Sequence, residues 1–445
     1  MRQVIMTKGN IWKLLIRFAI PLLLGNLLQQ LYNAFDAIVV GRYVSNEALA
    51  AVGSSGPLVN MIIAFFMGMS AGASVLISQY FGAKDDRTLR QTVHTAMLLA
   101  ILMGLVMSAV GILATPMLLR WMKAPQEIMD DAITYLRVFF SGMTALTVYN
   151  MGTAVLNAVG DSKRPLYFLM LSSVLNVTGN LLFVLVFHMG VSGVAWSTVI
   201  AQVISAVLVV WVLCRAEGDY RLELRALRLH SGVLKGITRI GLPGGIQQTI
   251  IGLSNIIVQS YVNGLGATLV AGYSAASKLD AFIALPVATL ALTVTTFVGQ
   301  NLGAHQVARA RQGTRYSLML GLASTIFLSA IVLAFGTTLL RIFSTDPEVV
   351  EAAYAFLKVF APMYCLLCLT QIVPGALRGA GDVRFPTVAC IFCFVVLRQI
   401  YLFFVTKVIY TPASVALGYP LTWGIAGIAI LIYYRRSNWD RFLAT

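Results

Sequence analysis

The chain has 445 residues, of which 58% are hydrophobic and only 11% charged, and its mean hydropathy is +0.83; these values exclude an ordinary soluble domain. A formal net charge of +15 would suggest nucleic acid in a soluble protein. Here the basic residues sort by membrane side, so topology accounts for them and no nucleic-acid partner is expected.

Apolar stretches of about 20 residues or more, enough to cross roughly 30 Å of hydrocarbon, lie near 14–40, 50–80, 92–115, 133–158, 165–187 and 192–214. A second set lies near 237–262, 268–300, 313–336, 353–377, 386–408 and 415–434. They predict an all-α integral membrane protein with twelve transmembrane helices. Arg2, Lys8, Lys13 and Arg17 before the first apolar run resemble a signal peptide, but no small-residue cleavage site follows, so a retained helix is expected.

The first span holds Asp36 within "LLQQLYNAFDAIVVGR", with Gln29, Gln30 and Asn33 on neighbouring turns. A carboxylate at mid-bilayer costs about 2.5–3.5 kcal/mol on insertion scales. Such a group marks a place where a proton is exchanged or a cation bound; a surface pair with Arg42 is the plainer alternative. Met61, Phe65, Phe66, Met67 and Met69 crowd the second span, and Tyr149 and Met151 lie on the fourth. Soft side chains of this kind suit a promiscuous cavity. Of these, Met61, Phe65, Met69 and Tyr149, with Gln30, Asn33, Asp280 and Arg398, are the candidate cavity residues.

In the fifth span, Asn176 and Asn180 are four apart and share a helix face. Thr198 lies on the sixth. Neutral amide and hydroxyl oxygens joined by one carboxylate suit a proton relay or a weakly held alkali cation; interhelical bonding alone is the plainer reading.

The linker that follows, residues 215–235, alternates charge with leucine and predicts a short amphipathic helix at the inner surface. It divides an N-lobe (1–214, helices 1–6) from a C-lobe (236–445, helices 7–12). In the C-lobe, Lys278, Asp280 and Arg398 are expected to pair within the membrane. Cys365-x-x-Cys368 and Cys390-x-x-Cys393 have zinc-like spacing, but only Cys368 and Cys393 could lie level on their helices, so free thiols and no metal are expected.

The two halves repeat at a spacing of 221 residues. Gln79-Tyr80-Phe81-Gly82-Ala83 returns as Gln300-Asn301-Leu302-Gly303-Ala304, Arg90-Gln91 as Arg311-Gln312, Gly160-Asp161 as Gly381-Asp382, and Pro165 as Pro386; Pro21 answers Pro243 one residue out of register. Six spans per repeat keep both halves in one orientation, with a cleft between two pseudo-symmetric lobes as the substrate path. Lysine and arginine concentrate in the N-terminus, the even-numbered connections, the linker and the C-terminus. Odd-numbered connections hold Arg42, Arg120, Lys123, Arg137, Arg341, Lys358 and Lys407. Both termini are therefore expected in the cytoplasm of a multi-pass inner-membrane protein.

No G-x-x-x-x-G-K-[ST] motif is present, so an ion gradient is the expected energy source and no cofactor is needed. A flippase for lipid-linked sugars would favour a cleft rich in arginine and lysine, for which Lys278 and Arg398 alone are candidates. An intramembrane enzyme would need a paired acid and base, and the histidines at 94, 188, 230 and 305 are scattered.

The "FDAIVVGR" of helix 1, the "GQNLGA"-like signature in both halves, the "GAGD" turn and Asn176-x-x-x-Asn180 together resemble the multidrug and toxic compound extrusion family. The likeness is to the branch holding archaeal, DNA-damage-inducible type and Gram-positive multidrug exporters, within the wider MOP superfamily, and it covers nearly the whole chain. The resemblance implies a cation-coupled antiporter that exports amphipathic, often cationic compounds by alternating access. It also implies an N-lobe cation site built from a helix 1 Asp, an Asn and an Asp four apart on helix 5, and a helix 6 Thr. Asp36, Asn176, Asn180 and Thr198 fall at those places, but residue 180 is Asn, leaving one carboxylate. Proton coupling through Asp36 is then expected, with weak sodium binding as the alternative. Another branch uses a helix 7 Glu; this chain has Gln247 and Gln248 there. The resemblance further implies bending of helix 1 at Pro21, 15 residues or about 22 Å before Asp36. Small-molecule substrates, the bilayer and a monomeric state complete the expectation.

Overall fold

A backbone in hydrocarbon must satisfy its own hydrogen bonds, and the computed structural model, which describes residues 4–44, 46–122 and 125–439, does so with helices and contains no strand among those residues. In chain order they are α1 (Ile11–Tyr43), α2 (Asn46–Ala83), α3 (Asp86–Trp121), α4 (Met129–Ser141), α5 (Met143–Ala158), α6 (Lys163–Leu181), α7 (Gly190–Cys214) and α8 (Ser231–Asn263). There follow α9 (Ala267–Gly303), α10 (Val307–Leu340), α11 (Pro347–Phe360), α12 (Tyr364–Gly379), α13 (Arg384–Ile391), α14 (Arg398–Val408) and α15 (Pro412–Arg436). A π-helical turn, Leu182–Val186, continues α6, and another, Phe392–Leu397, joins α13 to α14.

Among the described residues, ten helical stretches are long and apolar enough to cross a membrane. The other two predicted spans are helical but differ. The fourth is divided at Gly142 into α4 and α5. The seventh, α8, carries Lys235, Arg239, Gln247 and Gln248 along its 33 residues, which lowers its hydropathy.

The sequence repeat is also a repeat of backbone conformation. Lys84 (φ 55°) and His305 (φ 56°) occupy the left-handed region in the turn before the third span of each half, and Gly160 (φ 90°) and Gly381 (φ 84°) do so before the fifth. Gly160 is needed twice over, because a Cβ there would also collide with the Val4 carbonyl.

Two compact units emerge. One comprises residues 4–5 and 20–242, the other residues 6–19 and 243–439. The long helices α1 and α8 thus each divide their length between units, next to Pro21 and at Pro243. In the second unit, Met6 is gripped by the repeated signature: its N–H donates to Gln300 Oε1 (3.0 Å), while its carbonyl accepts from Asn301 Nδ2 (3.2 Å) and Arg309 Nη2 (3.2 Å). Trp12 stacks on Tyr316 at 4.6 Å. In the first unit, the start of α8 lies against α2 so closely that a Cβ on Gly72 would stand 2.5 Å from the Gly241 nitrogen. Apolar clusters fill each unit, one around Phe139, Phe140 and Leu136, another around Phe356, Tyr364 and Trp423.

The linker corrects an expectation. Residues 215–230 form no amphipathic helix; a short 3-10 turn at Leu224–Ala226 interrupts an otherwise irregular strap. Tertiary bonds outweigh helix propensity here. Leu222 N–H donates to Leu213 O (3.0 Å), and Glu223 pairs with Arg90 at 2.5 Å.

Candidate functional site

The N-lobe site is a ladder of side-chain hydrogen bonds across three helices. α6 and α7 approach closely at Gly179, where a Cβ would lie 2.7 Å from Ser197 Oγ. Ser197 Oγ donates to the Asn176 carbonyl (2.7 Å), which sets the register of α7 against α6. In that register Asn176 Nδ2 donates to Thr198 Oγ1 (3.1 Å) and to Tyr32 Oη (3.4 Å). Asn180 Nδ2 donates to Asn176 Oδ1 (3.1 Å) and to Asp36 Oδ1 (2.5 Å). Both asparagines are fully buried and Thr198 nearly so. Each amide N–H thus has a partner, and the chain of donors runs outward in two directions, to a hydroxyl and to a carboxylate. The remaining acceptor, Asn180 Oδ1, is buried without a hydrogen-bond partner. The π-helical turn begins two residues after Asn180. Such turns open the backbone ladder and often sit beside functional groups.

The four residues predicted from the sequence, Asp36, Asn176, Asn180 and Thr198, therefore come together. Tyr32 joins them unforeseen; its signal was its place one helical turn before Asp36. Gln30 is half-buried and Asn33 exposed, and neither joins the ladder. The side chain of Arg42, the alternative partner of Asp36, lies outside the described residues. Met69 is buried, Phe65 and Tyr149 are half-buried, and Met61 packs at the edge of the Phe139 cluster. Pro21 is buried within α1.

In the C-lobe the expected ion pairs do not form: among the described residues no ion pair joins Lys278, Asp280 and Arg398. Lys278 and Asp280 are two apart on α9, a spacing that places them on different faces. Asp280 Oδ1 instead accepts from Tyr364 Oη at 2.5 Å. Lys278 lies over the Phe343 ring at 5.9 Å. Arg398, 2% exposed, donates from Nη2 to Thr422 Oγ1 (3.0 Å) and from Nη1 to Asn255 Oδ1 (3.3 Å). Its guanidinium rests on Tyr419 (4.2 Å) and Phe394 (5.2 Å). Ring faces supply the negative potential that a carboxylate would have supplied. Tyr273 and Tyr419 hydroxyls meet at 2.9 Å, and Tyr364 stacks on Trp423. The result is an aromatic cluster holding one acid and one base apart.

Comparison with known proteins places this architecture. The MatE family model matches residues 21–182 and again 243–404, two stretches of equal length that begin at the repeated prolines. The chain belongs to the MatE family. Among curated relatives, it is similar to a probable multidrug resistance protein, YoeA, of Bacillus subtilis, with 29% identity over 96% of this chain and 94% of the relative. It is similar also to the multidrug export protein MepA of Staphylococcus haemolyticus, with 22% identity over 86% of this chain and 85% of that protein. Its fold superimposes on an outward-facing multidrug resistance MATE family transporter of the MOP superfamily with a TM-score of 0.93, at 23% identity over 100% of this chain and 99% of the other. As a MatE protein the chain is a membrane transporter rather than an enzyme.

Proposed function

We propose that this MatE transporter exports amphipathic, often cationic organic compounds in exchange for protons, by alternating access. The observation that carries the coupling ion is the unmatched acceptor. With Asp36 ionised, its carboxylate accepts from Asn180 Nδ2, while Asn180 Oδ1 has no donor. A protonated Asp36 supplies an O–H donor within the same pair of groups, so uptake of one proton removes a buried unsatisfied acceptor. The other oxygens of the site are already engaged: Asn176 Oδ1 accepts from Asn180, and Thr198 Oγ1 accepts from Asn176 while donating to Val194 O. A sodium ion would meet a single carboxylate, with Asn176 Oδ1 and Thr198 Oγ1 already accepting hydrogen bonds, which favours the proton.

Support for the cargo class comes from relatives named as multidrug proteins and from the aromatic C-lobe cluster, in which Asp280 offers a negative charge among ring faces. Pro21, where α1 passes from one compact unit to the other, is proposed as the place where the helix bends when Asp36 changes charge. The transporter is proposed to work as a monomer in the inner membrane with both termini cytoplasmic.

The test is efflux of a dye cation from proteoliposomes under crossed proton and sodium gradients, comparing the parent with Asp36→Asn. Proton-driven efflux lost in the variant is expected. Sodium-driven efflux in the parent would overturn proton coupling, and efflux under neither gradient would overturn the exporter reading.

A further inference from the structure

A cavity of about 590 Å³ lies away from the polar ladder, between the start of α3 and the linker strap; Arg87, Arg90, Arg225, Arg228, His94 and His230 line it. That volume falls in the range of small-ligand sites, about 300–1,000 Å³. Arg90 is taken up by Glu223. The other three arginines make no ion pair among the described residues, although two acids, Asp86 and Asp219, also line the cavity. Arg87, Arg225 and Arg228 thus outnumber the two acids around one space.

The wall that carries them is held in place. Glu223 N–H donates to His94 Nε2 (3.0 Å), and the other ring nitrogen of the buried His94, Nδ1, meets Arg90 O (2.7 Å). Thr95 Oγ1 donates to Arg228 O (3.2 Å) and accepts from His230 N–H (3.2 Å). The strap cannot swing away without breaking these bonds, which spares a ligand the cost of ordering it.

The repeat supplies a second, independent observation. In the other half the partner of Arg90 is Arg311, which donates to Ser437 O (3.0 Å) and lies over the ring of Trp439 (5.7 Å). Trp439 is fully buried there. The residue 221 positions before it is Gly218, which has no side chain. At this repeat position one half carries a buried indole beside its arginine, and the other carries a glycine beside Arg90 and the arginine-lined cavity.

The occupant is indicated by the cavity's surroundings. α3 opens on charged turns and becomes apolar from about residue 92, so the cavity lies at a span end, the depth expected for lipid headgroups. Leu224 (57% exposed) and Leu229 (44% exposed) alternate with Arg225 and Arg228 along the strap. Exposed leucine beside arginine at that depth suits acyl chain and phosphate together, and the planar guanidinium fork matches phosphate oxygens. The geometry points to a binding site for the phosphate of an anionic phospholipid headgroup, held by Arg87, Arg225 and Arg228.

The probe is phosphatidylglycerol. Purified full-length protein, equilibrated with mixed phosphatidylglycerol and phosphatidylcholine, is measured for retained lipid by native mass spectrometry. Preferential retention of phosphatidylglycerol is expected, weakened about fivefold by Arg87→Gln and by more than tenfold in Arg225→Gln/Arg228→Gln. Arg225→Lys/Arg228→Lys is expected to recover part of the loss. Gel filtration of each variant confirms that it remains folded. The control, Arg435→Gln/Arg436→Gln, removes two exposed basic residues elsewhere and is expected to change nothing. Equal loss in the control would show diffuse surface charge and overturn the site, as would unchanged retention in the cavity variants. Displacement of the lipid by millimolar inorganic phosphate, with phosphate binding the parent alone, would assign the cavity to a soluble phosphate and overturn the lipid.

Discussion

Asp36 is held by a neutral amide, and its chemistry depends on the hydrogen bonds that follow from that choice. Replacing the amide tests the reasoning: Asn180→Asp puts a second carboxylate beside the first, and two such groups either share a proton or hold a cation between them. Efflux in the variant is expected to respond to a sodium gradient at fixed pH where the parent does not, and equal sodium response in both proteins would contradict the single-carboxylate account. Thr198→Val removes the acceptor of Asn176 Nδ2 inside the membrane. Bonds of this kind average about 0.6 kcal/mol in membrane double-mutant cycles, so a small fall in thermal midpoint is expected, with Thr198→Ser close to the parent. At this scale most of the candidate site was legible in the sequence, because a polar group in an apolar span has few reasons to be there. Tyr32 was not, since tyrosine is ordinary in such spans and its role depends on which hydroxyl the neighbouring helix presents.

Whole elements are placed by close approach and by capping. The start of α8 packs on α2 through Gly72 and Gly241. Gly72→Val is expected to force the helices apart and lower the thermal midpoint by several degrees or prevent folding, whereas Gly252→Ala, where a Cβ meets open space, is expected to have little effect. At the α3 N-terminus Asp85 Oδ1 accepts from Thr88 N–H (3.1 Å). Hydrogen bonds from the Thr88 side chain and backbone hold the Asp85 carboxyl below the usual carboxylate range. Because the folded value is the lower one, this stabilisation is present above the unfolded pKa, about 3.9, and is lost as pH falls through the folded value. Asp85→Ala is expected to cost about 1 kcal/mol at neutral pH, and the difference from parent should vanish in strong acid. The linker shows where element-level reading fails. Its alternating leucines signal an amphipathic helix, but His94, Thr95 and Arg90 offer partners to an irregular strap, and no local pattern records them.

Across the whole molecule, the first helix of each half contributes its leading segment to the other half's compact unit: residues 6–19 to one, 231–242 to the other. Cutting the linker therefore leaves each of these segments packed in its own unit. Insertion of a protease site after Gly218, followed by cleavage, is expected to leave a protein that migrates as one species in gel filtration. Separation into two fragments would contradict the exchange of segments. The same exchange gives the repeated prolines a common context, since each stands where its helix passes between units.

What the sequence determined by itself is what local chemistry dictates: the spans, from hydropathy and length; the repeat, from residue identities 221 apart; and the polar residues that the membrane makes conspicuous. What only the tertiary structure decided is partnership. Tyr32 with Asn176 and Asp36 with Asn180 both join residues 144 apart, a register set by helix packing and not by either helix alone. Lys278, Asp280 and Arg398 read as a charge network until packing gave them a ring, a phenol and two neutral oxygens. Hydropathy is a property of each segment, whereas a hydrogen-bond partner is a property of the space between segments, and that space exists only after the chain has folded.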